Sequence, residues 1–311
     1  MIDRLIKKIE QCGAPIVVGL DPTYEMIPES MRAECFERHG STLRAAATML
    51  TEYNMRVIDA VYDLVPAVKP QIAMYERFGP EGMWAYAETT LYAAEKGLIV
   101  IGDVKRGDIA STAEAYASHI AGVTLENREY ETWAEDAVTL NPYMGGDSVE
   151  PFLKVCAERD KGVFILVKTS NPGSADIQDQ VLRDSGLMVY EHAANLVSKW
   201  GADLVGNCGY SKVGAVVGAT FAVQGAALRK RMPHTFFLVP GYGAQGASGK
   251  DLRGFFDKDG RGCIINSSRG IIAAWRKGRR FSDRNIGAAA REAVHKMRLD
   301  LEGVLEGWLP T

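Results

Sequence analysis

Cysteine is scarce in this 311-residue chain and does not form motifs. Cys12, Cys35, Cys156, Cys208 and Cys263 include no Cys-x-x-Cys pair. Their gaps fit neither a zinc ribbon nor a finger, so they read as reduced thiols in a cytosolic protein. Histidine is equally thin: His39, His119, His192, His234 and His295 include no close pair, which removes the usual histidine metal motif. An excess of either charge is also missing. Lysine and arginine number 36 against 39 acidic residues, a net charge of −3, so nothing marks nucleic acid or an anionic membrane as the main partner. No basic stripe with interleaved aromatics suggests single-stranded nucleic acid.

Other signatures are missing too. The longest apolar-looking stretch, Val213–Leu228, is broken by Gln224 and glycines and falls short of the ~20 residues a membrane helix needs. Met1–Glu10 is charged and helix-like, without the continuous apolar centre of a signal peptide, so the expected location is the cytoplasm. A Gly-x-x-x-x-Gly-Lys-Ser/Thr loop is absent, and no Gly-x-Gly-x-x-Gly follows the first strand-like run, so P-loop and dinucleotide chemistry lack support. With 47% apolar and 24% charged residues the chain is globular, not disordered. No linker or repeat divides it. One domain over residues 1–311 is expected.

What is present is a rhythm. Eight short branched apolar runs alternate with longer segments: Ile16–Leu20, Leu64–Val68, Leu98–Gly102, Ala137–Leu140, Val163–Val167, Val213–Gly218, Thr235–Val239 and Gly262–Ile265. Their interiors lack the polar alternation of a half-wet strand, so they suit a parallel sheet covered on both faces. Asp203–Gly206 is a weaker alternative for the sixth. Helices are expected within Ser41–Tyr62, Gly79–Lys96 (capped at Gly97), Asp147–Arg159, Gln180–Trp200 and Phe221–Arg231. Met1–Cys12 reads as an extra helix closing the bottom, and Ile271–Thr311 holds the final helix. The basic run Arg276, Lys277, Arg279 and Arg280 reads as solvated surface. The fold class is α/β, a (β/α)8 TIM barrel with additional terminal helical structure. An open doubly wound sheet is the alternative.

Polar residues gather directly after these runs, which in a barrel is the catalytic mouth. They include Asp21, Lys69, Asp103, Lys105, Asp108, Asn141, Lys168, Thr169, Ser170, Gln245 and Asn266-Ser267-Ser268-Arg269. The sharpest feature is Asp103-Val104-Lys105-Arg106-Gly107-Asp108. Alternate strand residues share a face, so Asp103 and Lys105 can both point inward. A structural ion pair at a strand end would give the same pattern. Lys69 at the neighbouring strand end favours a charged network, in which a protonated lysine can act as an acid. Gly241-Tyr242-Gly243-Ala244-Gln245-Gly246 can turn tightly over an anion, and Asn266-Ser267-Ser268-Arg269-Gly270 offers hydroxyls, amides and a guanidinium to a phosphate. Both also fit blander readings, a glycine-rich connection and a capped helix. Magnesium could use Asp103 and Asp108, but Lys69 and Lys105 would crowd it.

Taken together, these blocks resemble the orotidine 5'-phosphate decarboxylase family in its longer bacterial form. Asp103-Val104-Lys105-Arg106-Gly107-Asp108-Ile109 with Thr112 is the most specific part, beside Val17–Pro22, Val68-Lys69-Pro70-Gln71 and the two loops above. The resemblance implies a homodimeric barrel that converts orotidine 5'-phosphate to UMP and carbon dioxide without cofactor or metal. It implies a charged network of Lys69, Asp103, Lys105 and Asp108, with Asp108 and Thr112 serving the partner subunit's site. It assigns Asp21 to a ribose hydroxyl, Ser170 to the pyrimidine, and Gln245 and Arg269 to the phosphate, with Gly241–Gly246 closing over it. The nearest rival is a magnesium-dependent phosphosugar aldolase or synthase of the hexulose-phosphate synthase type.

Overall fold

The computed structural model describes residues 1–277 and 280–305, so Arg279 of the basic run and residues 306–311 of the tail lie outside the described residues. Eight parallel strands close into a barrel: β1 Ile16–Leu20, β2 Ala67–Pro70, β3 Ile99–Arg106, β4 Ala137–Leu140, β5 Gly162–Lys168, β6 Val213–Val217, β7 Phe237–Val239 and β8 Cys263–Ser267. Each pairs with its neighbour in sequence, and β8 returns to β1 through Val17↔Asn266 and Val18↔Ser267. Closure settles the choice between barrel and open sheet. Every expected run contributes one strand, and Val213–Val217 is the sixth while Ala202–Leu204 is a 3-10 turn.

Two expectations shift. Leu64 belongs to the turn that ends the preceding helix, and β2 starts at Ala67 and runs through Lys69. The segment Gln180–Trp200 is helical only from Val189 to Trp200. Its first part turns back on itself, with Leu182 N donating to Leu187 O at 2.8 Å and Gly186 in the left-handed region at φ 67°. Asp184-Ser185-Gly186 favours that turn over a helix. An exposed hairpin between β3 and β4, Val123–Leu125 with Arg128–Tyr130, has no counterpart among the expected elements. Its two-residue turn puts Glu126 at φ 55°, a conformation less obvious from Glu-Asn than from the usual Asn-Gly.

Strand alternation creates two cores. Outward residues such as Val18, Val68, Val100 and Val138 meet the surrounding helices. Inward residues Val17, Ala67, Ile99, Ile101, Ala137 and Phe164 fill the barrel. The helix Ile2–Cys12 places Ile2, Leu5 and Ile6 in that inner cluster, with Met1 beside them. Their i, i+3, i+4 spacing makes one apolar stripe, so this helix plugs the barrel as expected. At the other end of the chain, the helix Ile286–Leu305 packs on Leu43–Val61. Among the described residues no helix is long and apolar enough to cross a membrane.

Candidate active site

The strands' C-terminal ends open into a cavity of about 730 Å³. Continuing the inward alternation upward by one layer gives its floor: Thr139 from β4, Leu166 from β5, Val216 from β6 and Leu238 from β7. On the β1–β3 side and at β8 the same layer turns polar. Asp21, Lys69, Asp103, Lys105 and Asn266 border the space, as do Ser170, Gln245 and Arg269. Asp108 and Thr112 do not line it, and neither do Asn141, Lys168 or Ser267.

Asp103 is the centre of this polar wall. Its side chain is 9% exposed, and four donors converge on its two oxygens. Lys69 Nζ reaches Oδ2 at 2.5 Å and Gln71 Nε2 reaches it at 2.9 Å. Thr139 Oγ1 donates to Oδ1 at 3.0 Å, and Lys105 Nζ bonds the same oxygen. Burial alone would disfavour the charged carboxylate. The lysines Lys69 and Lys105 and their hydrogen bonds outweigh it, and Asp103 titrates well below the usual carboxylate range. Burial likewise opposes charge on Lys69, yet Asp103 and Asp21 raise its pKa above the ordinary lysine value. The site therefore holds a fixed carboxylate against an ammonium in a place largely closed to water.

Lys105 differs from Lys69. Its side chain is 44% exposed at the mouth, where a ligand can reach it. Its backbone sits at φ 47°, a region that non-glycine residues rarely occupy. The register of β3 against β4 shifts between Gly102 and Arg106, and Lys105 N donates to Thr139 Oγ1 at 2.9 Å. Thr139 thus fixes both the bulged backbone and the carboxylate. Thr139 is the functional candidate that sequence reasoning missed, and Gln71, present there only within the block Val68-Lys69-Pro70-Gln71, was given no role. The available signal for Thr139 was a lone hydroxyl on the inward face of an otherwise apolar strand, two residues after Ala137.

The opposite wall suits an anion. Ser268 Oγ accepts from Asn266 Nδ2 at 3.3 Å, and Arg269 begins the short helix that follows. Gly19 on β1 makes room for this turn, since a Cβ there would stand 1.8 Å from Ser268 Oγ and 2.8 Å from its Cβ. Gly241, Gly243 and Gly246 all have positive φ, which lets the loop bearing Gln245 turn back beside Arg269. Asp21 Oδ1 and Asn266 Oδ1 are buried without a donor among the described residues. Both residues line the cavity, so these atoms are acceptors suited to ligand hydroxyls. Lys168 has another task. It is buried between Phe221 and Tyr190 and donates to Asp179 at 2.6 Å, bracing the loop that carries Ser170. Among the described residues no three His, Cys, Asp or Glu side chains group as metal ligands.

The closed barrel and the charged cavity at its C-terminal mouth define a (β/α)8-barrel enzyme. The sequence model of the orotidine 5'-phosphate decarboxylase / HUMPS family matches residues 14–279. The orotidine 5'-phosphate decarboxylase of Rhodopirellula baltica is 44% identical over 304 residues, covering 96% of this chain and 98% of that one. The solved structure of Leishmania donovani OMP decarboxylase has a TM-score of 0.73 and 31% identity, covering 97% of this chain and 98% of that one. The Leishmania donovani UMP synthase structure has a TM-score of 0.75 and 33% identity, and this chain spans 56% of its length. The chain belongs to the orotidine 5'-phosphate decarboxylase / HUMPS family.

Proposed function

We infer that the chain decarboxylates orotidine 5'-phosphate to UMP and carbon dioxide. Its near full-length similarity to relatives bearing the decarboxylase name supports this over the phosphosugar alternative that the family also covers. The observation that carries the reading is Asp103, held between Lys69 and Lys105 at the cavity wall.

The chemistry follows from that arrangement. Departure of carbon dioxide leaves an electron pair on C6 of the pyrimidine. Lys105 is the reachable ammonium, and it stabilises that charge and delivers the proton. Asp103 orients Lys105, while Lys69 keeps Asp103 ionised. Schiff-base chemistry would instead need a neutral amine. Asp21 and Asn266 accept ribose hydroxyls, Ser170 meets the pyrimidine, and Gln245 and Arg269 hold the phosphate. The phosphate is remote from the broken bond, so its binding energy is available for ordering the loop and the charged network.

The reading includes a cytoplasmic, cofactor-independent enzyme of one domain that acts as a homodimer. Asp108 and Thr112 would complete the neighbouring subunit's site. In support, they lie outside their own chain's cavity, beside Ile109, which is 56% exposed. The adjacent β4 loop exposes Tyr143 and Met144, so an apolar rim accompanies them. The deciding experiment follows loss of orotidine 5'-phosphate absorbance in excess EDTA. Conversion to UMP is expected. Activity that vanishes in EDTA and returns with Mg²⁺ would make the barrel metal-assisted, and a folded protein with no turnover under either condition would move the chain to the phosphosugar alternative.

A further inference from the structure

We propose that Asp300, on the terminal helix Ile286–Leu305, is a positioning residue for the glycine-rich loop over the substrate phosphate. The proposal rests on the phosphate role given above to that loop. One oxygen makes the connection. Asp300 Oδ2 accepts from Tyr242 Oη at 2.7 Å and from Gly249 N at 2.8 Å. Tyr242 lies at the start of the loop and Gly249 just beyond its end. A single carboxylate oxygen therefore clamps both feet of the segment that carries Gln245.

Between those feet the loop is a compact unit whose position depends on them. Its backbone folds on itself, with Gly243 N donating to Ala247 O at 2.8 Å and Gly246 N to Gly243 O at 2.9 Å. Gly243 and Gly246 have left-handed backbones and open space where a Cβ would lie. Tyr242 and Ala244 border the substrate cavity on one side and a second cavity of about 500 Å³ on the other. The tip is thus a thin wall between two spaces, whereas its base is tied to a helix anchored by buried Met297 and Leu301. Room at the base is limited as well: a Cβ on Gly249 would stand 2.6 Å from Asp300 O. Asp300 itself does not line the substrate cavity. Its influence on substrate runs through the position of Tyr242 and Gln245. This gives the terminal helix a task in the reaction beyond packing.

The test compares Asp300→Ala with Asp300→Asn. Asparagine can place one carbonyl oxygen where Oδ2 stands and accept both bonds, and alanine can accept neither. Asp300→Ala should raise the KM for orotidine 5'-phosphate and the dissociation constant of UMP by about fivefold, with kcat changed less than about twofold. Asp300→Asn should restore both. Should Asp300→Ala fail to fold, Tyr242→Phe removes one of the two bonds from the loop side and should also raise KM. Unchanged UMP affinity, a loss confined to kcat, or an asparagine variant as impaired as alanine would overturn the proposal. A wild-type protein that binds UMP but leaves orotidine 5'-phosphate intact defeats the activity reading instead, and UMP affinity still tests the clamp.

Discussion

At the scale of single residues, the site turns on which charges are buried and which can reach a ligand. Lys105→Ala should lower kcat by about 10³-fold, within the usual span for a general acid, while UMP affinity changes little. Single-turnover kinetics check this, since they separate chemistry from binding. Asp103→Asn should act on stability as well. It leaves Lys69 buried without its carboxylate, and urea unfolding should show a loss of about 3 kcal/mol at neutral pH. The pH dependence has a definite sign. The folded pKa of Asp103 is depressed, so its contribution is present above the unfolded value of about 4 and is lost as pH falls toward the folded one. The folded pKa of Lys69 is raised, so its contribution is present below about 10 and is lost as pH rises through the folded value. The gap between wild type and Asp103→Asn should be flat across the neutral range and shrink below about pH 4. A gap that grows on acidification would contradict the assignment of charge. Asp103 and Lys105 were legible in the sequence because strand alternation puts them on one face, and Lys69 because it stands at the end of the neighbouring strand. Thr139 and Gln71 were not, because their bonds to Asp103 depend on how β2, β3 and β4 register, including the bulge at Lys105.

At the scale of elements, small residues decide how closely strands and turns approach. Gly19→Ala drives a methyl into Ser268 at the head of the turn that presents Arg269. Rotating the Ser268 hydroxyl relieves the contact with its Oγ but not the one with its Cβ, so the turn must shift. The expected result is weaker UMP binding by about tenfold, with folding cost held to about 1–3 kcal/mol. Calorimetry with UMP and with uridine distinguishes a phosphate effect, seen only with UMP, from a general loss of the site. The strands were legible because short, continuous, β-branched apolar runs bounded by charges suit a buried parallel strand and little else in a globular chain. Gln180–Met188 departs from the expected helix because its helical composition competes with a turn at Asp184-Ser185-Gly186, and the turn prevails. The hairpin 123–130 escaped notice because its strands, three residues each, are too short for a period to show.

At the scale of the whole molecule, barrel closure was expected from the count of eight runs but needed the β8 to β1 pairing to be distinguished from an open sheet. Asp108 and Thr112 do not line their own chain's cavity, and this is where subunit exchange is informative. If each site combines Lys105 of one subunit with Asp108 of its partner, Lys105→Ala and Asp108→Asn subunits are complementary. Each mutant dimer alone is impaired at both sites. A hybrid dimer carries one doubly altered site and one site with both native residues. Random reassortment of equal amounts makes half the dimers hybrid, so activity should return to about a quarter of the wild-type value. Mixing after mild dissociation, followed by turnover of orotidine 5'-phosphate, measures it. Activity that remains at the mean of the two parents, although exchange is demonstrated by a mass-tagged subunit, would mean that each chain serves only its own cavity. Asp108 would then be a loop residue whose carboxylate merely accepts the Ile109 amide at 2.7 Å.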